Sequence, residues 1–167
     1  TSPRKSAACE KEIRVQTLER IIEDHPFFGG LNDEFMDLVL GCASNVRFPK
    51  DTYVFREGQA ANTFYLVREG NVALELFAPQ RKPIVVATVG VGEVLGWSWL
   101  LAPYQWKFHA HATTDTRAIA LDGKCLREKC ERNHDLGYEF LKRFAQIVVN
   151  RLEATRFQLL DVYSAQK

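Results

Sequence analysis

The chain has 167 residues, 46% of them apolar and 26% charged, with a formal net charge of +1. That is enough chain to bury a core, with the composition of a globular domain. The near-neutral balance lacks the basic footprint of a nucleic-acid binder, and no apolar run approaches the ~20 residues of a membrane-spanning helix. Neither nucleic acid nor membrane is therefore expected as a partner.

Residues 1–10 are basic and rich in small residues, with no apolar h-region. They read as a flexible tail rather than a signal peptide. Over 11–24, Ile13, Leu18, Ile21 and Ile22 fall near one helical face, and His25-Pro26-Phe27-Phe28-Gly29-Gly30 stops that helix. Asn32 suits the N-cap of a second short helix, 33–41, with Phe35, Leu38 and Val39 inward.

From residue 44 the period shortens. Strand-like runs at 45–48, 52–56, 62–68, 72–77, 84–89, 106–112 and 116–121 alternate with turn signals, the spacing of a sandwich, barrel or jelly roll. Gly70-Asn71 lies between two such runs and carries a hairpin signature. The segment Gly92–Trp106 opens with two glycines four apart and holds all three tryptophans of the chain. It reads as strand, glycine turn, one short helix, loop and strand. The free N–H groups at such a helix start can hold an anion.

After Leu121 the pattern is helical again. Asp122 is placed to cap a helix of about ten residues. Asn133 or Asp135 can cap a last, long one that reaches about Tyr163. Along it Leu141, Phe144, Val148, Leu152, Thr155, Leu159 and Val162 step by three or four. Such a stripe either packs on its own sheet or forms a two-helix seam with a second copy. The length of the helix favours the seam, so a homodimer is expected. No basic helix-turn-helix follows within the sequence.

The four cysteines, Cys9, Cys42, Cys125 and Cys130, match no zinc or disulfide spacing. Cys42 and Cys125 have apolar neighbours and read as small free hydrophobes in a reducing, cytoplasmic compartment. Cys125, Cys130 and His134 spread over different faces of a helix junction, so no metal site is expected there. His109-Ala110-His111 sets two imidazoles on one strand face. That geometry suits a metal or haem, although a solvated face is the commoner outcome. No nucleophile elbow, phosphate loop or metal–base motif is present, which points away from an enzyme.

In this order the elements resemble the cyclic nucleotide-binding domain of catabolite-activator and Fnr-type regulators, kinase regulatory subunits and gated channels. The resemblance covers roughly 25–163. His25–Leu31 is similar to the family's opening segment. Phe55–Val72, with Glu57-Gly58, Tyr65 and Gly70-Asn71-Val72, looks like its core motif. Gly90-x-Gly92-Glu93-x-x-Gly96 matches the run into its phosphate-binding cassette, and Arg151-Leu152-Glu153-Ala154-Thr155 resembles the helix that leans over the ligand.

The resemblance implies a mainly β fold with flanking helices (α+β). Its parts are short N-terminal helices, an antiparallel β-roll or jelly roll over about 44–121, a short cassette helix, and C-terminal helices over about 122–163. All lie in one domain spanning 11–167. It also implies a ligand kit: a carboxylate after the second glycine for a ribose hydroxyl, an arginine about ten residues on for the phosphate, and a base contact from the long helix. Here the carboxylate position holds Trp97 and the arginine position holds Trp106, with Lys107 beside it. Thr155 matches the base-contacting position. The candidate ligand-binding residues are Gly96, Trp97, Ser98, Trp106, Lys107, Thr155 and Arg156.

A phosphate enclosed without a cation leaves its desolvation cost unanswered, and an indole offers one N–H and no charge. Cyclic AMP and cyclic GMP are therefore expected to bind weakly or not at all. No cofactor is expected, and any small-molecule ligand is of unassigned identity. The function implied is a sensor module that reports to a protein partner through its C-terminal helix. Two alternatives stay open: an interaction subunit with a filled roll, and a nucleotide binder that uses non-standard contacts.

Overall fold

A computed structural model describes residues 18–164. The reading of residues 1–10 as a tail, Cys9 and the start of the first helix lie outside them. Two compact units meet between Glu128 and Lys129.

The first unit begins with helix α1 (18–23) and a 3-10 turn, Pro26–Phe28. Helix α2 (Asp33–Leu40) follows, and the Asn32 side chain accepts from Phe35 N at 2.8 Å, the cap that the sequence proposes. Eight strands come next: β1 (Ala43–Phe48), β2 (Tyr53–Phe55), β3 (Thr63–Glu69), β4 (Val72–Leu76), β5 (Ile84–Val89), β6 (Val94–Leu95), β7 (His109–Ala112) and β8 (Thr116–Asp122). They form two four-stranded sheets, ordered β1-β8-β3-β6 and β2-β7-β4-β5, and every pairing is antiparallel. This is the expected roll.

Alternation along the strands sends one set of side chains into the roll. Phe55, Val67, Val72, Leu74, Val89, Leu95, Trp106 and Ala110 make a single buried cluster there, with Tyr65 and Phe108 packed against it. A second cluster lies around the opposite side of β3. Phe64 is edge-on to Phe27 and stacks on Trp99, with ring centroids 5.0 Å apart in the latter pair.

The second unit holds the end of α3 (Gly123–Arg132) and all of α4 (His134–Ser164). Asp122 Oδ1 accepts from Cys125 N at 2.9 Å and so caps α3. Of the two candidate caps for α4, the one used is Asn133, whose Oδ1 accepts from Leu136 N at 3.2 Å. Along α4, Leu136, Phe140 and Phe144 are buried, whereas Leu141, Val148, Leu152, Leu159 and Val162 are exposed.

Four local expectations are corrected. Gly70-Asn71 is not a hairpin: β3 and β4 belong to different sheets, and the turn carries the chain from one to the other. Gly70 (φ +86°) is needed there because a Cβ would lie 2.4 Å from the Asp115 carbonyl oxygen.

Residues 106–108 are not strand. Trp106 N donates to Gln59 O and Gly58 N donates to Trp106 O, so this backbone serves the 58–59 loop and β7 starts only at His109.

The cassette helix is absent. Between Gly96 (φ +91°) and Pro103 the backbone makes successive turns, with Leu100 N bonded to Trp97 O and Tyr104 N to Leu101 O. A helix in that short span would gain few bonds for its nucleation cost, and the residue before a proline resists helical angles.

Cys42 and Cys125 are not free thiols but a disulfide, with Cα atoms 6.0 Å apart across 83 residues of sequence. Asp122 N donates to Cys42 O, and this β8 contact brings the end of α2 beside the start of α3. Cysteine usage therefore gives no argument for a reducing compartment.

Candidate functional site

The cassette starts from two glycines with positive φ. Gly92 (φ +80°) faces open space. Gly96 faces an indole: a Cβ there would lie 2.6 Å from Trp106 Cζ3 and 2.8 Å from its Cη2. Only a hydrogen fits between that backbone and the ring, and φ of this sign already favours glycine.

Trp106 is 5% exposed and lies flat on Phe55, with centroids 3.7 Å apart and planes 8° apart. The Tyr65 ring also lies near-parallel to Phe55, with centroids 6.5 Å apart. Three aromatic rings from β2, β3 and the cassette loop thus occupy the interior of the roll. Burial raises the pKa of the Tyr65 phenol, an effect partly opposed by Thr63. The Tyr65 phenol therefore stays neutral and available as a hydrogen-bonding group.

Trp99 points the other way. It is fully buried against Phe64, outside the roll. Its main chain meets α3: Arg127 Nη1 donates to Trp99 O at 2.5 Å. The same guanidinium reaches Ala61 O at 3.4 Å and Asn62 Oδ1 at 3.2 Å, and its centre sits 4.4 Å over the Tyr104 ring. Gly123, at the start of α3, packs where a Cβ would come within 2.8 Å of Trp99 Cβ. Sequence reasoning missed Arg127. One arginine on an otherwise charged helix gives no signal until the fold sets it beside three carbonyl or amide oxygens.

The candidate residues therefore divide. Gly96 and Trp106 touch each other, as described. Trp97 and Ser98 are half-buried in the turns, and Lys107 is exposed next to the buried Trp106. Thr155 and Arg156 belong to α4, in the second unit. Both are exposed there, and the Thr155 hydroxyl donates to Arg151 O at 2.8 Å, one turn back.

His109 and His111 do share a face of β7. The carboxylates that the sequence shows no sign of come from other segments. His111 Nδ1 is 3.1 Å from Glu75 Oε1, His111 Nε2 is 3.9 Å from Asp51, and His109 Nε2 is 3.8 Å from Glu57. Tyr53 donates to Glu75 at 3.3 Å and stacks on His111. Burial first, then the charge of Glu75, holds the Tyr53 phenol above its ordinary range. His109 faces Glu57 while His111 faces Glu75 and Asp51, and among the described residues no three His, Cys, Asp or Glu side chains converge as metal ligands. The Cys130 thiol is pushed up to about 11, by burial and then by Glu131, so it is not a reactive thiolate at neutral pH. No described helix is long and apolar enough to cross a membrane.

The model of the cyclic nucleotide-binding domain matches residues 45–133. The chain is 21% identical, over 145 residues, to the CRP-like cAMP-activated global transcriptional regulator of Mycobacterium tuberculosis. That match covers 87% of this chain but 63% of the regulator, so the chain spans less than two thirds of that relative. Among solved structures, a Geobacter metallireducens protein described as cyclic nucleotide-binding superposes with a TM-score of 0.72 at 30% identity, covering 81% of this chain and 98% of that one. The regulatory subunit of a cAMP-independent protein kinase A from Trypanosoma brucei gives 0.66 at 21% identity, covering 83% and 50%. The chain belongs to the cyclic nucleotide-binding domain family.

Proposed function

We propose that this member of the cyclic nucleotide-binding domain family is a non-enzymatic regulatory module whose roll is closed by its own aromatic side chains. In this reading it has lost most affinity for cyclic AMP and cyclic GMP and communicates with partners through its C-terminal helix. The observation that carries the reading is the flat contact of Trp106 on Phe55, at 3.7 Å, inside the roll.

Trp106 stands where the family's pattern places the phosphate-pairing arginine, and Trp97 where it places the ribose-binding acid. An enclosed phosphate would meet rings without positive charge, and would have to displace a packed indole as well. Lys107 is exposed and is a point charge rather than a fork. The fold alone leaves the choice open, since the relatives above include a regulator named as cAMP-activated and a kinase subunit named as cAMP-independent.

Support for the output comes from α4. Its apolar residues Leu141, Val148, Leu152, Leu159 and Val162 are exposed in the single chain. Their three-and-four spacing suits a parallel two-helix seam with a second copy, which would remove that area from water. Arg127 would connect the cassette turns to α3, and so carry any change in the roll toward the C-terminal helices.

Titration calorimetry with cyclic AMP and cyclic GMP tests the ligand claim, and sedimentation tests the dimer. The expected results are no saturable heat below about millimolar nucleotide and a dimer that L152E separates. A micromolar dissociation constant for either nucleotide overturns the ligand claim. A monomeric native chain overturns the dimer.

A further inference from the structure

We propose that the face of sheet β1-β8-β3-β6 turned away from the roll carries a second binding site, for a small molecule held by a phosphate or pyrophosphate group. A groove of about 300 Å³ lies there, lined by Ile21, Asn45, Val46, Arg47, Arg68 and Arg117. That volume is at the small end of ligand sites. It is separate from the cassette and shares none of its residues.

Three strands deliver the three guanidinium groups. Arg47 of β1 lies directly opposite Arg117 of β8, a like-charge cross-strand pair that costs stability unless an anion offsets it. Arg68 arrives by a different device. Val67 pairs with Ala118 and Glu69 with Arg117, so Arg68 is the extra residue of a β-bulge. A bulge re-aims the side chain it carries. Arg68 Nη1 accordingly donates to Asn45 Oδ1 at 3.0 Å, on β1, two strands away with β8 between them. All three arginines thus line one groove, with Ile21 of α1 as an apolar wall.

The local carboxylates do not consume this charge. Arg47 meets Asp115, and Arg117 meets Glu69, each at 3.5 Å, with all four side chains more than half exposed. Such pairs are weak and screened. Asp115 also accepts from Lys50 N at 3.1 Å, which holds it on the loop side. Three planar forks from three strands suit a tetrahedral anion with several equivalent oxygens. A single flat carboxylate accepts from fewer directions at once.

The test is a thermal-shift and calorimetric titration of the whole chain with inorganic pyrophosphate, at fixed ionic strength, with malonate as the carboxylate arm and K82Q, on the exposed Lys82, as a single-charge control away from the groove. The expected result is saturable stabilisation by pyrophosphate. It should weaken by about tenfold or more in R47Q/R117Q, persist in K82Q, and be unaffected by added cyclic AMP. R68K, which keeps the charge and loses the fork, should also bind more weakly while staying folded by circular dichroism, so the claim remains testable if the double variant fails to fold. No saturable shift in the native chain, an equal response to malonate, or full binding by R68K each overturns the proposal.

Discussion

Arg127 Nη1 donates to the main-chain oxygen of Trp99 at 2.5 Å, and the same guanidinium covers the ring of Tyr104 at 4.4 Å. One side chain on α3 therefore contacts both cassette turns. Ala61 and Asn62 on the β2–β3 loop are fastened by the same group. Replacing Arg127 with Ala should cost about 1.5–3 kcal/mol, the range for hydrogen bonds to a charged donor. R127K should fall between, since it keeps the charge but not the planar fork. Hydrogen exchange should speed up over 97–104 in R127A and stay native on β4. Unchanged exchange in the cassette would remove Arg127 from its holding role.

Gly96 and Gly92 make a matched pair for a backbone experiment. Both have positive φ, but only Gly96 faces a ring. Gly92→Ala should cost about 1–2 kcal/mol, the ordinary penalty for that conformation. Gly96→Ala should cost clearly more, because Trp106 is wedged on Phe55 and has nowhere to retreat. Trp106→Ala should lose about 3–5 kcal/mol from the roll core. Urea denaturation of the three variants gives the order; equal losses for the two glycines would mean that Trp106 yields easily.

The Cys42–Cys125 bond closes a loop of 83 residues of sequence separation. Such a link typically contributes about 2–4 kcal/mol, mainly by limiting the unfolded chain. Dithiothreitol should lower the melting temperature of the native protein and leave that of C42S/C125S unchanged. Mass spectrometry after alkylation under denaturing conditions, without reductant, should show both of these thiols blocked from reaction. Their labelling in the untreated protein would contradict the bond.

His25 gives a pH dependence of defined sign. Its ring is buried, Nδ1 accepts from Phe27 N at 3.2 Å, and Nε2 has no partner. Burial lowers its pKa below the ordinary 6.5. The unfolded chain thus binds the proton more readily than the folded one, so stability falls as pH drops through about 6.5 and below. His25→Asn keeps a cap acceptor for the turn and removes the titration. The loss of stability between pH 7.5 and 5 should be smaller in H25N than in the native chain. Parallel curves would clear His25 of the effect.

The caps were legible because each is a local decision. Asn32, Asp122 and Asn133 (the last one of two candidates) precede apolar or helix-forming runs by the spacing that a cap requires, and each takes an amide three residues on. Most strands were legible from their period and their turns. β6 was not, since two residues between two glycines carry no period. The cassette tryptophans were visible as an anomaly, but not their directions. Trp99 and Trp106 lie only seven residues apart in one irregular segment, yet they fill different clusters on opposite sides of sheet β1-β8-β3-β6.

The sequence by itself determined most of the order of elements, the caps of α2 and α3, and the family, because those follow from neighbours along the chain and from side-chain period. The tertiary structure alone decided which distant groups meet. It set Trp106 on Phe55, Cys42 on Cys125, Arg127 on the Trp99 carbonyl, and Arg47 opposite Arg117. Each of these contacts depends on sheet register and on the turn from one sheet to the other, and a register is fixed by the packing of the whole roll rather than by any stretch of it.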